Sequence, residues 1–301
     1  MENKNFDVII IGGSYSGLSA GMSLGRSLRN VLIIDNGKPC NRQTPHSHNF
    51  ITHDGKTPAE IAQLAKKDVE KYNTVKFYNG TVTKTIKATE GFDVEISSGE
   101  KFHAKKLILA SGIKDIMPDI PGFAECWGIS VLHCPYCHGY EVKNEVTGIL
   151  SNGDMAYEFS KLIFNMTKNL TLFTNGKATL TDEQIEKLNQ NKIILNEDEI
   201  AGIEHKKGSI QKIIFKNGKE IVLQALYAKI PFEQNINASG DLGCELTEQG
   251  FINIDMMQKT TVPGVFACGD NVTMMRSVAN AIAQGNFTGA VVNKELSDEE
   301  F

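Results

Sequence analysis

The sequence has no long hydrophobic run: no apolar stretch approaches the roughly 20 residues that cross a bilayer as a helix. It has no excess of positive charge, since 31 Lys and Arg stand against 36 Asp and Glu for a formal net charge of -5. A phosphate-backbone footprint needs the opposite balance, so no nucleic acid is expected as a partner. Met1 to Asn5 are short and polar and lack the pattern of a secretory signal. The expectations are a cytoplasmic location and no membrane. Cysteine is sparse, and four of the six (Cys40, Cys126, Cys244 and Cys268) are scattered. That excludes a disulfide framework. It also leaves the close pair Cys134/Cys137 without a second Cys/His cluster at zinc-ligand spacing, so no metal site is expected. There is no short-period repeat.

What is present is ordinary globular composition, 41% hydrophobic and 22% charged over 301 residues, with room for two cores. Strand and helix signals alternate from the start. Val8 to Ile11 reads as a strand buried on both faces and ended by Gly12-Gly13. A helical pattern runs from Ser16 through Leu28, and Val31 to Ile34 is a second buried strand closing at Asp35. Pro39 to Gly55 is an irregular loop, and Glu60 to Tyr72 a helix. Val75–Phe77, Thr81–Ile86, Phe92–Ile96 and Lys101–His103 read as a small antiparallel insertion, followed by a separate buried strand from Lys106 to Ala110. Pro118 and Pro121-Gly122 punctuate a boundary. A second strand–turn–helix opens at Val146, and further strands and a hairpin at Lys216–Gly218 follow. A third region from about Asn235 ends in a helix from Val278 to about Glu295. The two β-α-β openings imply two nucleotide-domain folds, one inserted into the other.

Gly12-Gly13-Ser14-Tyr15-Ser16-Gly17 is a dinucleotide turn whose middle glycine is replaced by Ser14. The first glycine permits the tight turn and the last permits close packing of helix on strand. A pyrophosphate then sits over the free N–H groups of the helix start. Asp35 stands about twenty residues on, where an acid takes ribose hydroxyls. Cys134-Pro135-Tyr136-Cys137-His138 admits four uses: a redox disulfide, half a zinc site, covalent haem attachment, or two structural thiols. The missing second cluster and the missing export signal weigh against the metal and haem. His133 and His138 flank the pair, and either suits proton transfer or thiolate stabilisation. His46, His48 and His53 lie in the first loop, either lining a pocket or solvated. Cys126 and Cys244 read as packing residues.

The order of these features resembles the low-molecular-weight thioredoxin reductases: Ile11 to Gly17, then Ala110-Ser111-Gly112, a C-x-x-C pair in the middle third, and Gly264 to Asp270 near the end. The resemblance covers nearly the whole chain. It implies an α/β protein of two Rossmann-like, three-layer domains. Residues 1–115 plus 234–301 would be the FAD-binding domain, and 116–233 an inserted NAD(P)-binding-like domain carrying the cysteines. It implies that FAD lies against Gly12, Ser14, Tyr15, Ser16, Gly17 and Asp35, with Arg42, Ala110, Ser111 and Gly112 nearby. Gly269 and Asp270 would meet its ribityl–pyrophosphate, and Ser277 and Val278 its ring. Cys137 would lie nearer the flavin, and Cys134 would exchange with substrate. A homodimer is implied as well.

The departures carry information. The family's G-x-G-x-x-A in the inserted domain is here Ser151-Asn152-Gly153-Asp154-Met155-Ala156, with an acid where a phosphate would sit. The arginine-rich stretch that clasps the NADPH 2′-phosphate is replaced by Phe173-Thr174-Asn175-Gly176-Lys177. Both changes remove phosphate contacts, which tells against ordinary NADPH binding. His138 takes the place of the usual Asp. In that respect the chain is more similar to the thioredoxin-reductase-like dithiol oxidases of the gliotoxin and holomycin type. The expectation is an FAD-dependent thiol–disulfide oxidoreductase with catalytic Cys134, Cys137 and His138, passing electrons from a small dithiol through flavin to oxygen or another acceptor. The same parts also permit an NADPH-fed reductase of a thioredoxin-like protein. A flavin-bound redox sensor or scaffold without turnover is the alternative of another class.

Overall fold

The computed structural model describes residues 4–301. In chain order the first stretch contains β1 (Asn5–Ile11), α1 (Tyr15–Arg26), β2 (Val31–Asp35), α2 (Pro58–Val69) and β3 (Val75–Asn79). It continues with β4 (Val82–Lys87), β5 (Phe92–Ile96), β6 (Lys101–Leu109) and β7 (Ile113–Asp115). The middle stretch holds α3 (Phe123–Cys126), β8 (Val131–Leu132), α4 (Pro135–His138), β9 (Thr147–Leu150), α5 (Gly153–Ile163) and β10 (Leu170–Phe173). After these come α6 (Asp182–Gln190), β11 (Ile194–Asn196), β12 (Ile200–Lys206), β13 (Ser209–Phe215), β14 (Glu220–Val222) and β15 (Ala225–Ala228). The last stretch is β16 (Phe232–Gln234), α7 (Ala238–Leu242), β17 (Val265–Ala267) and α8 (Val278–Glu300).

These elements form two compact units. The first comprises residues 1–42, 58–115 and 232–301. The second comprises 116–231 together with the loop 43–57, which clusters there rather than with its neighbours in sequence. The expected pair of Rossmann-like α/β folds holds.

In the first unit β1, β2, β3 and β6 are parallel neighbours in the order β3-β2-β1-β6. Parallel partners on both sides and layers on both faces explain the unbroken apolar run: Val8, Ile9 and Ile10 are fully buried. The fourth partner, β6, has a divided far edge. Residues 101–104 pair antiparallel with β5, which pairs with β4, and Leu107 to Leu109 pair parallel with β17.

Two sequence expectations change here. The segment from Val75 is a parallel strand of the main sheet, not part of an antiparallel insertion. Lys101–His103 and the strand after it are one continuous strand. Ala104 and Lys105, left between the two expected strands, belong to it, and so does the polar Lys106. The Lys106 ammonium is buried against α8, bonded to Glu295 at 2.8 Å and to Glu299. A buried charge is tolerable when paired in this way.

Helix α1 carries Gly17, Gly21 and Gly25, each costing about 1 kcal/mol of helix propensity relative to alanine. Close approach explains them. A Cβ on Gly21 would lie 2.6 Å from Ile33 Cδ1, and one on Gly25 would lie 2.7 Å from Val75 Cγ2. On its other side α1 receives α8, where a Cβ on Gly285 would overlap the Ser16 carbonyl.

The second unit has a five-stranded parallel sheet, β11-β10-β9-β15-β8, and a three-stranded antiparallel sheet, β12-β13-β14. Among the described residues no helix is long and apolar enough to cross a membrane.

Replacing Gly285 by alanine should therefore strain the α1–α8 contact and lower unfolding free energy by about 1–3 kcal/mol. Chemical denaturation measures this, and an unchanged midpoint would mean that the helices have room to spare.

Candidate active site

The first unit builds its site where β1 turns into α1. Gly12 has φ +108°, and a Cβ there would overlap the carbonyl of Ala110. A Cβ on Gly17 would overlap the carbonyl of Gly12, and one on Gly13 would lie 2.8 Å from Asp35 Cβ. Ser14 is the N-cap of α1, and its side chain makes no capping bond. The helix start thus keeps N–H groups for a ligand, with partial positive charge behind them. Gly269, at φ +91°, comes close enough that a Cβ would lie 2.5 Å from Ser16 Oγ. Its N–H donates to Gln284 Oε1 at 2.7 Å. The structure therefore gathers Gly12, Ser14, Ser16, Gly17, Asp35, Ala110, Ser111, Gly269 and Asp270 at one corner.

The remaining expected residues lie around it. Tyr15 is buried and donates its hydroxyl to Pro58 O at 3.1 Å. Gly112 has φ +66° and follows Ser111, whose carbonyl accepts from Asn235 Nδ2 at 3.1 Å. Ser277 caps α8 by accepting from Asn280 N, and Val278 is its first helical residue. Arg42 spends its guanidinium on its own loop, donating to Pro39 O at 3.2 Å.

Sequence reasoning missed a charged cluster at the same corner. Arg276 grips Asp115 through two bonds of 2.9 and 3.1 Å, and its Nε lies 3.5 Å from Asp270 Oδ2. Burial pushes the Asp270 carboxyl above its ordinary value, with Arg276 opposing. Cys40 Sγ approaches Asp270 Oδ2 at 3.8 Å. Although Cys40 is exposed as a residue, burial of its sulfur and the Asp270 charge push its thiol up to about 11. A thiol held protonated in this way is a poor nucleophile. Asn271, fully buried beside Asp270, leaves Oδ1 without a hydrogen-bond partner among the described residues. Of this cluster only the Gly-Asp dipeptide was signalled, because Asp115 and Arg276 are far apart in sequence.

The second unit's equivalent turn, β9 to α5, is closed by its own side chains. Asn152 caps α5, accepting from Gly153 N at 2.8 Å and from Thr179 N at 2.9 Å. Asp154 lies in the first helical turn and accepts from Gln184 Nε2 at 2.8 Å. After β10, Ala178 N donates to Glu197 Oε1 at 2.6 Å. None of the chain's arginines, at 26, 29, 42 and 276, belongs to this unit.

Also in the second unit, Cys134 and Cys137 are joined as a disulfide with Cα atoms 5.3 Å apart. Pro135 starts the short helix α4, and Cys134 is its N-cap. The Cys137 N–H donates to Cys134 Sγ at 3.1 Å. His138 ends the same turn, and burial, reinforced by nearby His48, holds its imidazole below its usual value, with Glu141 opposing. His133 packs instead on Trp127, ring centroids 5.8 Å apart. Cys126, Cys244 and Cys268 are buried. Among the described residues no group of three His, Cys, Asp or Glu is placed to hold a metal.

Comparison with known proteins decides what this pair of sites is. Residues 6–285 match the profile of the pyridine nucleotide-disulphide oxidoreductases. The chain belongs to that family. It is 31% identical to the thioredoxin reductase tcpT of Claviceps purpurea over 98% of this chain and 96% of the relative. Among solved structures it is similar to the putative thioredoxin reductase TrxB of Bacillus anthracis, with TM-score 0.94 and 30% identity, covering 98% of this chain and all of that one. It is also similar to an oxidoreductase of Agrobacterium tumefaciens, with TM-score 0.91 and 36% identity, covering 98% and 99% of the two chains. As a member of this family the chain is an FAD-dependent disulfide oxidoreductase of the thioredoxin-reductase-like kind. The first unit's corner fits the cofactor: glycines where a Cβ would intrude, an uncapped helix start, and an acid at the end of β2.

Valine at Gly12 would both occupy a left-handed φ and overlap the Ala110 carbonyl. The Gly12→Val protein is expected to purify with little flavin while keeping the Cys134–Cys137 disulfide, by flavin absorbance and thiol titration. Full flavin content would contradict this placement of the cofactor.

Proposed function

We propose that this oxidoreductase is fed from the thiol side: a small dithiol is oxidised at the Cys134–Cys137 disulfide, and the electrons leave through FAD to oxygen or another acceptor. The observation that carries this reading is the closed start of α5. Asn152 and Asp154 occupy with oxygen atoms the place where a nicotinamide cofactor's phosphates would need free N–H groups and positive charge. Glu197 beside the turn after β10 and the absence of arginine from the unit act in the same direction.

The thiol chemistry follows from the residues of α4. His138, held neutral by burial, takes a proton from the first substrate thiol. The thiolate attacks Cys134 Sγ, the S–S bond breaks, and Cys137 leaves as a thiolate. The second substrate thiol, deprotonated in turn, attacks the substrate sulfur of the mixed disulfide and expels the Cys134 thiolate. The Cys137 N–H already points at that sulfur and stabilises the leaving charge. Substrate loses two protons and two electrons, and the enzyme gains the electron pair as a dithiol. The Gly12–Gly17 turn, Asp35 and Gly269-Asp270 would hold FAD, which would supply a two-electron acceptor for that pair on its way to an external acceptor.

Anaerobic mixing of the flavoprotein with NADPH, NADH and a small dithiol in turn tests the direction of flow. Bleaching of the flavin by the dithiol alone, with recovery in air, is expected. Rapid bleaching by NADPH would overturn the reading and make the enzyme a nicotinamide-fed reductase. Because a lowered imidazole stays neutral to lower pH, the dithiol half-reaction should hold its rate on acidification until below the ordinary imidazole value of 6.5. A fall centred above that value would show that another group is titrating.

A further inference from the structure

The loop that joins the second unit from an earlier part of the chain is held as a fixed scaffold. Ser47 N donates to Lys56 O at 2.8 Å, Gly55 N to Ser47 O at 2.9 Å, and His53 N to Phe50 O at 3.0 Å. Asn49 N donates to Asp54 Oδ1 at 2.7 Å, and His46 Nδ1 pairs with Gly55 O at 2.9 Å. This frame fixes the direction of His48, whose side chain is 20% exposed.

Each nitrogen of His48 faces a carboxylate, with Nδ1 3.7 Å from Asp54 Oδ2 and Nε2 3.6 Å from Glu141 Oε1. Its ring meets that of His138 edge-on, centroids 6.4 Å apart at 89°. Glu141 therefore serves two imidazoles: it lies within reach of His48, and its charge acts on His138.

We propose that His48 is a positioning residue for the acid–base step at the disulfide: it engages Glu141 that would otherwise pair with His138. The inference rests on the reading of His138 as the base. The other titratable groups at this place are few. His46 lies 6.3 Å from His48 between ring centroids, Tyr140 carries Lys143 over its ring at 3.3 Å, and Tyr227 is a buried phenol pushed up by burial and by the Glu141 charge.

The test is the pH profile of anaerobic flavin bleaching by dithiothreitol in the holoenzyme and in the variants His48→Leu, Glu141→Gln and His138→Asn. His48→Leu frees Glu141 for His138, so the acid limb should move to higher pH, by roughly 0.5–1 unit for a partly exposed pair. Glu141→Gln removes the opposing charge and should move the limb to lower pH by a similar amount. A loss of packing alone would lower the rate at every pH without moving the limb. Limbs that stay in place in both variants, while His138→Asn abolishes the limb, overturn this inference alone. A limb that survives His138→Asn overturns both it and the reading of His138 as the base.

Discussion

The close approach of backbone to backbone at the start of α1 is the constraint on which the first unit depends. Gly12, Gly17 and Gly285 each sit where a single added carbon would overlap a main-chain carbonyl. Those approaches let β1, α1 and α8 meet at one point, and they leave the α1 N-terminus uncapped by its own side chain. The result is a helix start whose N–H groups have no side-chain cap, obtained at the cost of helix propensity, since α1 spends several of its positions on glycine. The Gly269-Asp270 turn reaches the same point only because Gly269 has a positive φ and no side chain.

The second unit repeats the strand–turn–helix plan and ends it differently. Where α1 begins with an uncapped Ser14, α5 begins with Asn152, whose Oδ1 takes two backbone N–H groups, and with Asp154 in its first turn. An N-terminus can satisfy its N–H groups from its own chain or from a ligand, and a strong internal cap removes what a phosphate would bind. The same topology thus carries a helix start without a side-chain cap in one unit and one capped by Asn152 in the other.

Much of this was legible in the sequence because it rests on local patterns. Short apolar runs marked β1, β2 and β9, and the C-x-x-C-H run marked the cysteine pair and its histidine. The reading went astray where tertiary pairing overrides local composition. Lys101–His103 and the run from Lys106 looked like two strands, yet β6 runs through Ala104 and Lys105, and two glutamates of α8 neutralise Lys106. Val75 to Asn79 looked like the start of a hairpin stack, but its partner is β2. The site residues that went unseen, Asp115 with Arg276 and His48 with Glu141, are pairs whose members stand far apart in the chain. Each member alone is an ordinary polar residue, and only the fold reveals that they meet.

The surroundings of Cys40 and of the disulfide sulfur of Cys134 differ in kind. Burial of the Cys40 sulfur, reinforced by the Asp270 carboxylate beside it, pushes its thiol up to about 11 and keeps it protonated. Cys134 lies at a helix start, its sulfur accepting a backbone N–H. Negative charge on sulfur is opposed at the first position and supported at the second. A chain with six cysteines can therefore direct exchange to one pair without sequestering every other thiol. Three are buried, one is held protonated by burial of its sulfur and a neighbouring acid, and the remaining two form the disulfide at the start of α4.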